Sequence, residues 1–161
     1  YLQLFTSEYG ISTIALRLFN VYGPGQNLDN LDQGMASIFL AQGIRDKKIL
    51  VKGSPDRFRD FVYIDDVVNV FIKALRIAKP TSYIYNVSTG IKTTVSEVIE
   101  HIKSNLPFDV KVEFKGSTRG DLIGQSGSFD KLKKDFQISD MVSFNVGIER
   151  MVKWALSVEN D

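Results

Sequence analysis

Cysteine is absent from the 161 residues, and histidine occurs once, as His101. The first absence excludes disulfides, thiolate metal sites and cysteine nucleophiles. It fits a reducing compartment, and the cytoplasm is the expected location. The second leaves no Ser-His-Asp arrangement to read. It also leaves no nitrogen or sulfur ligand set for zinc, so no metal is expected. His101 falls on an expected helix from Ser96 to Leu106 and reads as a surface residue of it.

Charge of one sign is lacking too. Lysine plus arginine number 20 and aspartate plus glutamate 19, a net charge of +1. That balance gives no electrostatic reason to expect a nucleic acid or an anionic membrane as partner. No apolar run approaches the roughly 20 residues of a membrane span, and no signal peptide is visible. The phosphate-binding patterns Gly-x-Gly-x-x-Gly after a strand and Gly-x-x-x-x-Gly-Lys-Ser/Thr do not occur. The chain opens on Tyr1-Leu2-Gln3-Leu4-Phe5, which reads as the end of an interrupted helix.

What remains is an ordinary globular composition, 43% hydrophobic and 24% charged, of a size that suits one domain and its own core. The pattern predicts a helix over Tyr1–Glu8 closed by Gly10, and a buried strand over Ser12–Leu18. A loop over Asn20–Asn30 and a helix over Gln33–Arg45 follow. Strands are expected at Ile49–Lys52, Arg59–Ile64, Tyr83–Val87 and Val110–Phe114. Between them Asp65 is expected to cap a helix that buries Val67, Val68, Val70, Phe71, Ala74 and Leu75. Thr94-Val95-Ser96-Glu97 has the spacing of a capping box. A loop over Gly116–Ser128 leads to a short helix, and Ser143 caps the last one. Strands alternating with helices predict an α/β fold with parallel pairing.

Three segments could carry chemistry. Asn20 follows a strand end, where ligands of open α/β sheets bind, and its amide suits a sugar or a phosphate. The alternative is an amide bonded within its own turn. Arg59 could hold a phosphate with two parallel bonds, or pair with Asp60, or lie solvated. Arg119, in Arg119-Gly120-Asp121, has the same choice between an anion and water. Asp65 and Asp66 are adjacent and do not converge on one substrate, so capping is the better reading. Chemistry alone favours the structural alternative for each, and no catalytic machinery is legible.

The run Leu16-Arg17-Leu18-Phe19-Asn20-Val21-Tyr22-Gly23-Pro24-Gly25-Gln26 resembles the extended short-chain dehydrogenase/reductase family. So does Arg59-Asp60-Phe61-Val62-Tyr63-Ile64-Asp65-Asp66. The likeness continues through Tyr85-Asn86-Val87-Ser88-Thr89-Gly90 and from Arg119 to Asp130, in family order. The subgroup it is most similar to is the UDP-glucose 4-epimerase-like enzymes. The resemblance implies that residues 1–161 are the substrate-binding, carboxy-terminal portion of a Rossmann-type enzyme. Strands 12–18 and 83–87 would then complete an amino-terminal Rossmann sheet, and the other strands would form a smaller lobe. It implies NAD as cofactor, a UDP-sugar as substrate and a homodimeric parent. Asn20, Arg59 and Arg119 would bind the diphosphate of the nucleotide sugar, and Phe19 and Val21 would lie at the nicotinamide. The family's Tyr-x-x-x-Lys pair and glycine-rich phosphate loop are not in this sequence. The resemblance therefore implies oxidation and re-reduction at C4 of the sugar by the parent enzyme and no turnover by these residues alone. Dehydration and decarboxylation share the oxidation and stay open, as does a non-catalytic nucleotide-binding module.

Overall fold

The computed structural model describes residues 1–32, 34–76, 82–116 and 122–159. In chain order the elements are α1 (Leu2–Tyr9), β1 (Thr13–Leu18), β2 (Asn20–Tyr22), α2 (Met35–Asp46) and β3 (Lys48–Lys52). Then come β4 (Phe58–Arg59), β5 (Phe61–Tyr63), α3 (Ile64–Ala74), β6 (Ser82–Val87) and β7 (Thr93–Thr94). The remainder is α4 (Val95–Asn105), β8 (Lys111–Lys115), β9 (Gly124–Gln125), α5 (Asp130–Phe136) and α6 (Phe144–Val158).

The α/β class and its parallel pairing are as the alternation of elements predicts. Strand β1 pairs with β6, β2 with β5 and β3 with β8, all parallel. The short strand β4 lies between β7, antiparallel, and β9, parallel. Local chemistry sets several ends. Gly10 closes α1 in the left-handed region at φ 64°, its N–H donating to Thr6 O. Thr94 and Glu97 form the expected capping box at α4.

Two cores meet at β5. Phe61 and Tyr63 face the core built by α2, β3, α4 and α6, with Ile49, Val98, Ile102 and Met151 at its centre. Val62, between them, faces the second core with Val67, Val70, Tyr85 and Phe136. The period of two along a strand makes this division possible. It fixes the strand that follows Arg59 from both sides.

Several expectations are corrected. The strand over Arg59–Ile64 is two strands broken at Asp60, because β4 and β5 pair in different sheets. The loop expected from Asn20 begins as a strand, β2, which pairs with β5. Asp65 does not cap α3. The helix starts at Ile64 directly after β5, with Tyr63 at the cap position and no side-chain cap bond, so Asp65 already lies in the first turn. Of the apolar residues expected to be buried along α3, Val67 and Val70 are, whereas Val68, Phe71 and Leu75 are 48%, 49% and 88% exposed. The helix packs on β2, β5 and α5, and its opposite side is apolar without being covered. Ser143 occupies the cap position of α6 without a side-chain bond. Its carbonyl accepts from Gly147 N–H at 3.0 Å. His101 is half-buried, its ring edge-on to Phe144 at 5.7 Å.

Candidate functional site

Strand β1 ends at Leu18 and the chain turns through Phe19 into β2. Phe19 N–H donates to Val87 O at 3.1 Å, which keeps the turn on β6. Asn20 is held next. Its main-chain N–H and its Nδ2 both donate to Asp60 O, at 3.1 and 2.9 Å. The side chain therefore does not bond its own turn. It reaches a residue forty positions on and keeps its second amide hydrogen and its oxygen for other partners.

Asp60 is fully buried. It is not the salt-bridge partner that its position beside Arg59 suggests. Oδ1 accepts from Thr89 N–H at 2.8 Å and from Thr89 Oγ1 at 2.7 Å. Oδ2 accepts from Gly90 N–H at 2.9 Å and Gly127 N–H at 3.1 Å. A buried carboxylate tolerates the loss of water when its oxygens are saturated in this way. Asp60 thus ties the β4–β5 break to the loop after β6 and to the loop before α5. Sequence reasoning missed this role, since nothing in the spacing of Asp60 and Thr89 marks it.

Arg59 is half-buried on β4, and its Nη1 donates to Phe58 O at 2.8 Å. Among the described residues it forms no ion pair. Arg59 and Asn20 line one cavity of about 360 Å³, together with Val21, Tyr22, Gln26 and Phe61. Arg119 lies outside the described residues, and so does Asp121.

A further element of the cavity was not anticipated. Its wall includes Gly34, Met35 and Ala36, the start of α2. Gly34 at the cap position brings no side chain to cap that helix, and its first turn holds no acid. The amino-terminal N–H groups of a helix carry partial positive charge and favour anions. The sequence pattern starts this helix at Gln33, after Asp32, so the start after Gly34 is not legible there. A guanidinium, an amide and a helix amino terminus on one cavity make a site for an anion with several oxygens.

The acid–base inventory is short. Tyr22 lines the cavity, but burial, then Asp66 and Tyr63, push its phenol far above the ordinary value. It stays protonated at neutral pH, donating to Phe144 O at 3.3 Å. Burial also raises the Asp66 carboxyl, with Val142 N–H opposing at 2.9 Å from Oδ2 and Asp65 adding to the rise. Asp66 braces α3 against the loop before α6. Phe19, in the turn after β1, and Val21, in β2, are half-buried. The Phe19 ring lies so close to Gly127 that a Cβ there would meet it at 2.5 Å. These two residues fit contact with the edge of a cofactor and not its anchoring, since neither brings a charge or a phosphate-binding loop.

The chain is α/β, with Arg59, Asn20 and the amino terminus of α2 on one cavity. The model of the NAD dependent epimerase/dehydratase family matches residues 1–88, and the chain belongs to that family. The UDP-glucose 4-epimerase of Thermotoga maritima, solved with UDP-glucose, is 28% identical and superposes with a TM-score of 0.89. That match covers 99% of this chain and 50% of the other. The dTDP-4-dehydro-6-deoxyglucose reductase of Escherichia coli is 28% identical over 153 residues, 95% of this chain and 48% of the relative. UDP-glucuronic acid decarboxylase 1 of Arabidopsis thaliana is 28% identical over 143 residues, 89% of this chain and 32% of the relative. The chain spans a third to a half of the length of these curated relatives. Among the described residues, no helix is long and apolar enough to cross a membrane.

Proposed function

We propose that this chain is the nucleotide-sugar-binding part of an NAD-dependent epimerase acting on a UDP-sugar at C4. The observation that carries the reading is the shared cavity of Arg59, Asn20 and the amino terminus of α2. Arg59 would pair with diphosphate oxygens and Asn20 would donate its remaining amide hydrogen at the rim. Arg119 would supply a second guanidinium. Met35 and Ala36 would offer main-chain N–H groups to the same oxygens.

When bound, NAD supplies the acceptor for hydride from the sugar and the donor for its return. Phe19 and Val21 would contact its nicotinamide. The phosphate loop and the Tyr-x-x-x-Lys pair would come from outside residues 1–161. In this reading strands β1 and β6 extend a Rossmann sheet. Exposed apolar side chains on these strands and on α1, such as Leu18, Ile84, Leu2 and Phe5, support it. So do those on α3.

Epimerisation is favoured over dehydration and decarboxylation by the likeness to the Thermotoga enzyme, at a TM-score of 0.89. The test is product analysis on the intact gene product with NAD. UDP-galactose from UDP-glucose supports epimerisation. A 4-keto-6-deoxy sugar from UDP-glucose, or a UDP-pentose from UDP-glucuronate, would replace it with one of the other two reactions. Residues 1–161 alone should give none of these products, and sedimentation of the gene product should show a dimer.

A further inference from the structure

Gln26 stands in the wall of the same cavity as Arg59 and Asn20. Its Oε1 is buried and has no hydrogen-bond partner. Unpartnered buried oxygens are rare and costly, and each calls for a reason. Gly34 sits at φ 92°, and a Cβ there would come within 2.5 Å of Gln26 Nε2 and of Ser37 Oγ. The glycine at the start of α2 is therefore what leaves room for the Gln26 side chain.

The neighbours of this oxygen decide what it can meet. The cavity gathers several donors: the Arg59 guanidinium, the remaining Asn20 amide hydrogen and the main-chain N–H groups of Met35 and Ala36. Those groups suit phosphate oxygens. The Gln26 oxygen does not, because two acceptors repel. A ligand that satisfies all of them must place a donor directly beside its anionic part.

We infer that Gln26 is a substrate-recognition residue whose Oε1 accepts a hydrogen bond from a hydroxyl group flanking the diphosphate of the bound nucleotide sugar. The inference rests on the diphosphate reading above and adds to it a neutral contact that reads the carbohydrate. A nucleotide sugar has such hydroxyls on both sides, on the ribose and on the hexose. The chemistry asked of Gln26 is the same for either.

Calorimetric titration of UDP and of UDP-glucose into the intact protein separates the sources. The variants are Gln26→Met, which keeps the length and removes the acceptor, Gln26→Ala, should the first not fold, and Arg59→Ala. Loss of one neutral hydrogen bond is expected to weaken binding about three- to tenfold. A loss for both ligands assigns the contact to the ribose. A loss for UDP-glucose alone assigns it to the hexose. Unchanged affinity of the folded Gln26 variants for both ligands, with binding weakened in Arg59→Ala, overturns the assignment of Gln26 and leaves the diphosphate site standing. No UDP binding by the wild type, or none lost in Arg59→Ala, overturns the diphosphate reading and the Gln26 contact with it.

Discussion

The carbonyl of Asp60 accepts two hydrogen bonds from Asn20, one from its main-chain N–H at 3.1 Å and one from Nδ2 at 2.9 Å. The residue that follows Arg59 thus positions the amide that shares its cavity. The Asp60 carboxylate, facing the other way, takes four donors from Thr89, Gly90 and Gly127. Asp60 sets the geometry of the site without entering the cavity.

Asp60→Asn tests that. Either orientation of the new amide turns an NH2 towards donors that now meet an oxygen. The expected loss of stability is about 2–4 kcal/mol, from buried donors left without acceptors. Urea unfolding measures it through the midpoint at unchanged slope. A change below about 0.5 kcal/mol, ordinary for surface sites, would show that the four bonds are dispensable.

The capping box gives a pH-dependent outcome. Thr94 N–H and Oγ1 both donate to Glu97 Oε2 and hold its carboxyl below the ordinary value. A carboxyl lowered in the folded state adds stability that is complete above its unfolded value, about 4.3. That stability is lost as pH falls through the folded value. Thr94→Ala is expected to cost about 1 kcal/mol at pH 7 and to reduce the loss on the acid side. Glu97→Gln should remove Glu97's share of the acid-side slope. Thermal melts of the three proteins across that range report both. Equal slopes would contradict the assignment.

Gly147 sets helix propensity against packing. Alanine is better than glycine in a helix by about 1 kcal/mol, and Gly147 lies inside α6. Yet a Cβ there would run into the Tyr22 hydroxyl and come within 2.9 Å of the Tyr63 ring. Overpacking of this kind costs about 1–3 kcal/mol. Gly147→Ala is expected to be net destabilising. A rise in melting temperature would mean that α6 can shift off the β2–β5 pair without cost.

What the sequence made legible follows from range. The end of α1 at Gly10 and the start of α4 at Thr94 are set by residues within four positions, so both could be read directly. The break at Asp60 could not be read. β4, β7 and β9 are two residues each, too short to show a period, and their partners lie far apart in the chain. Asp60 beside Arg59 reads as an ion pair until Thr89, Gly90 and Gly127 are seen around it. Val68, Phe71 and Leu75 are apolar and were expected inside, but hydropathy does not say which neighbour covers a helix face. The cavity shared by Arg59 and Asn20 came from the family resemblance and not from spacing. The α2 terminus is not legible because the apolar pattern starts the helix at Gln33, after Asp32, and not after Gly34.

The central claim is that Arg59 holds the diphosphate of a nucleotide sugar. Titration of UDP into wild type, Arg59→Lys and Arg59→Ala by calorimetry tests it most directly. A charge-assisted bond contributes about 1.5–3 kcal/mol, so Arg59→Ala should weaken UDP binding about tenfold or more. Arg59→Lys should recover part of that loss, since an ammonium keeps the charge and lacks the planar fork. Thermal stability should change little, because Arg59 bonds only the neighbouring Phe58 carbonyl among the described residues. Equal UDP affinity in all three proteins would contradict the account.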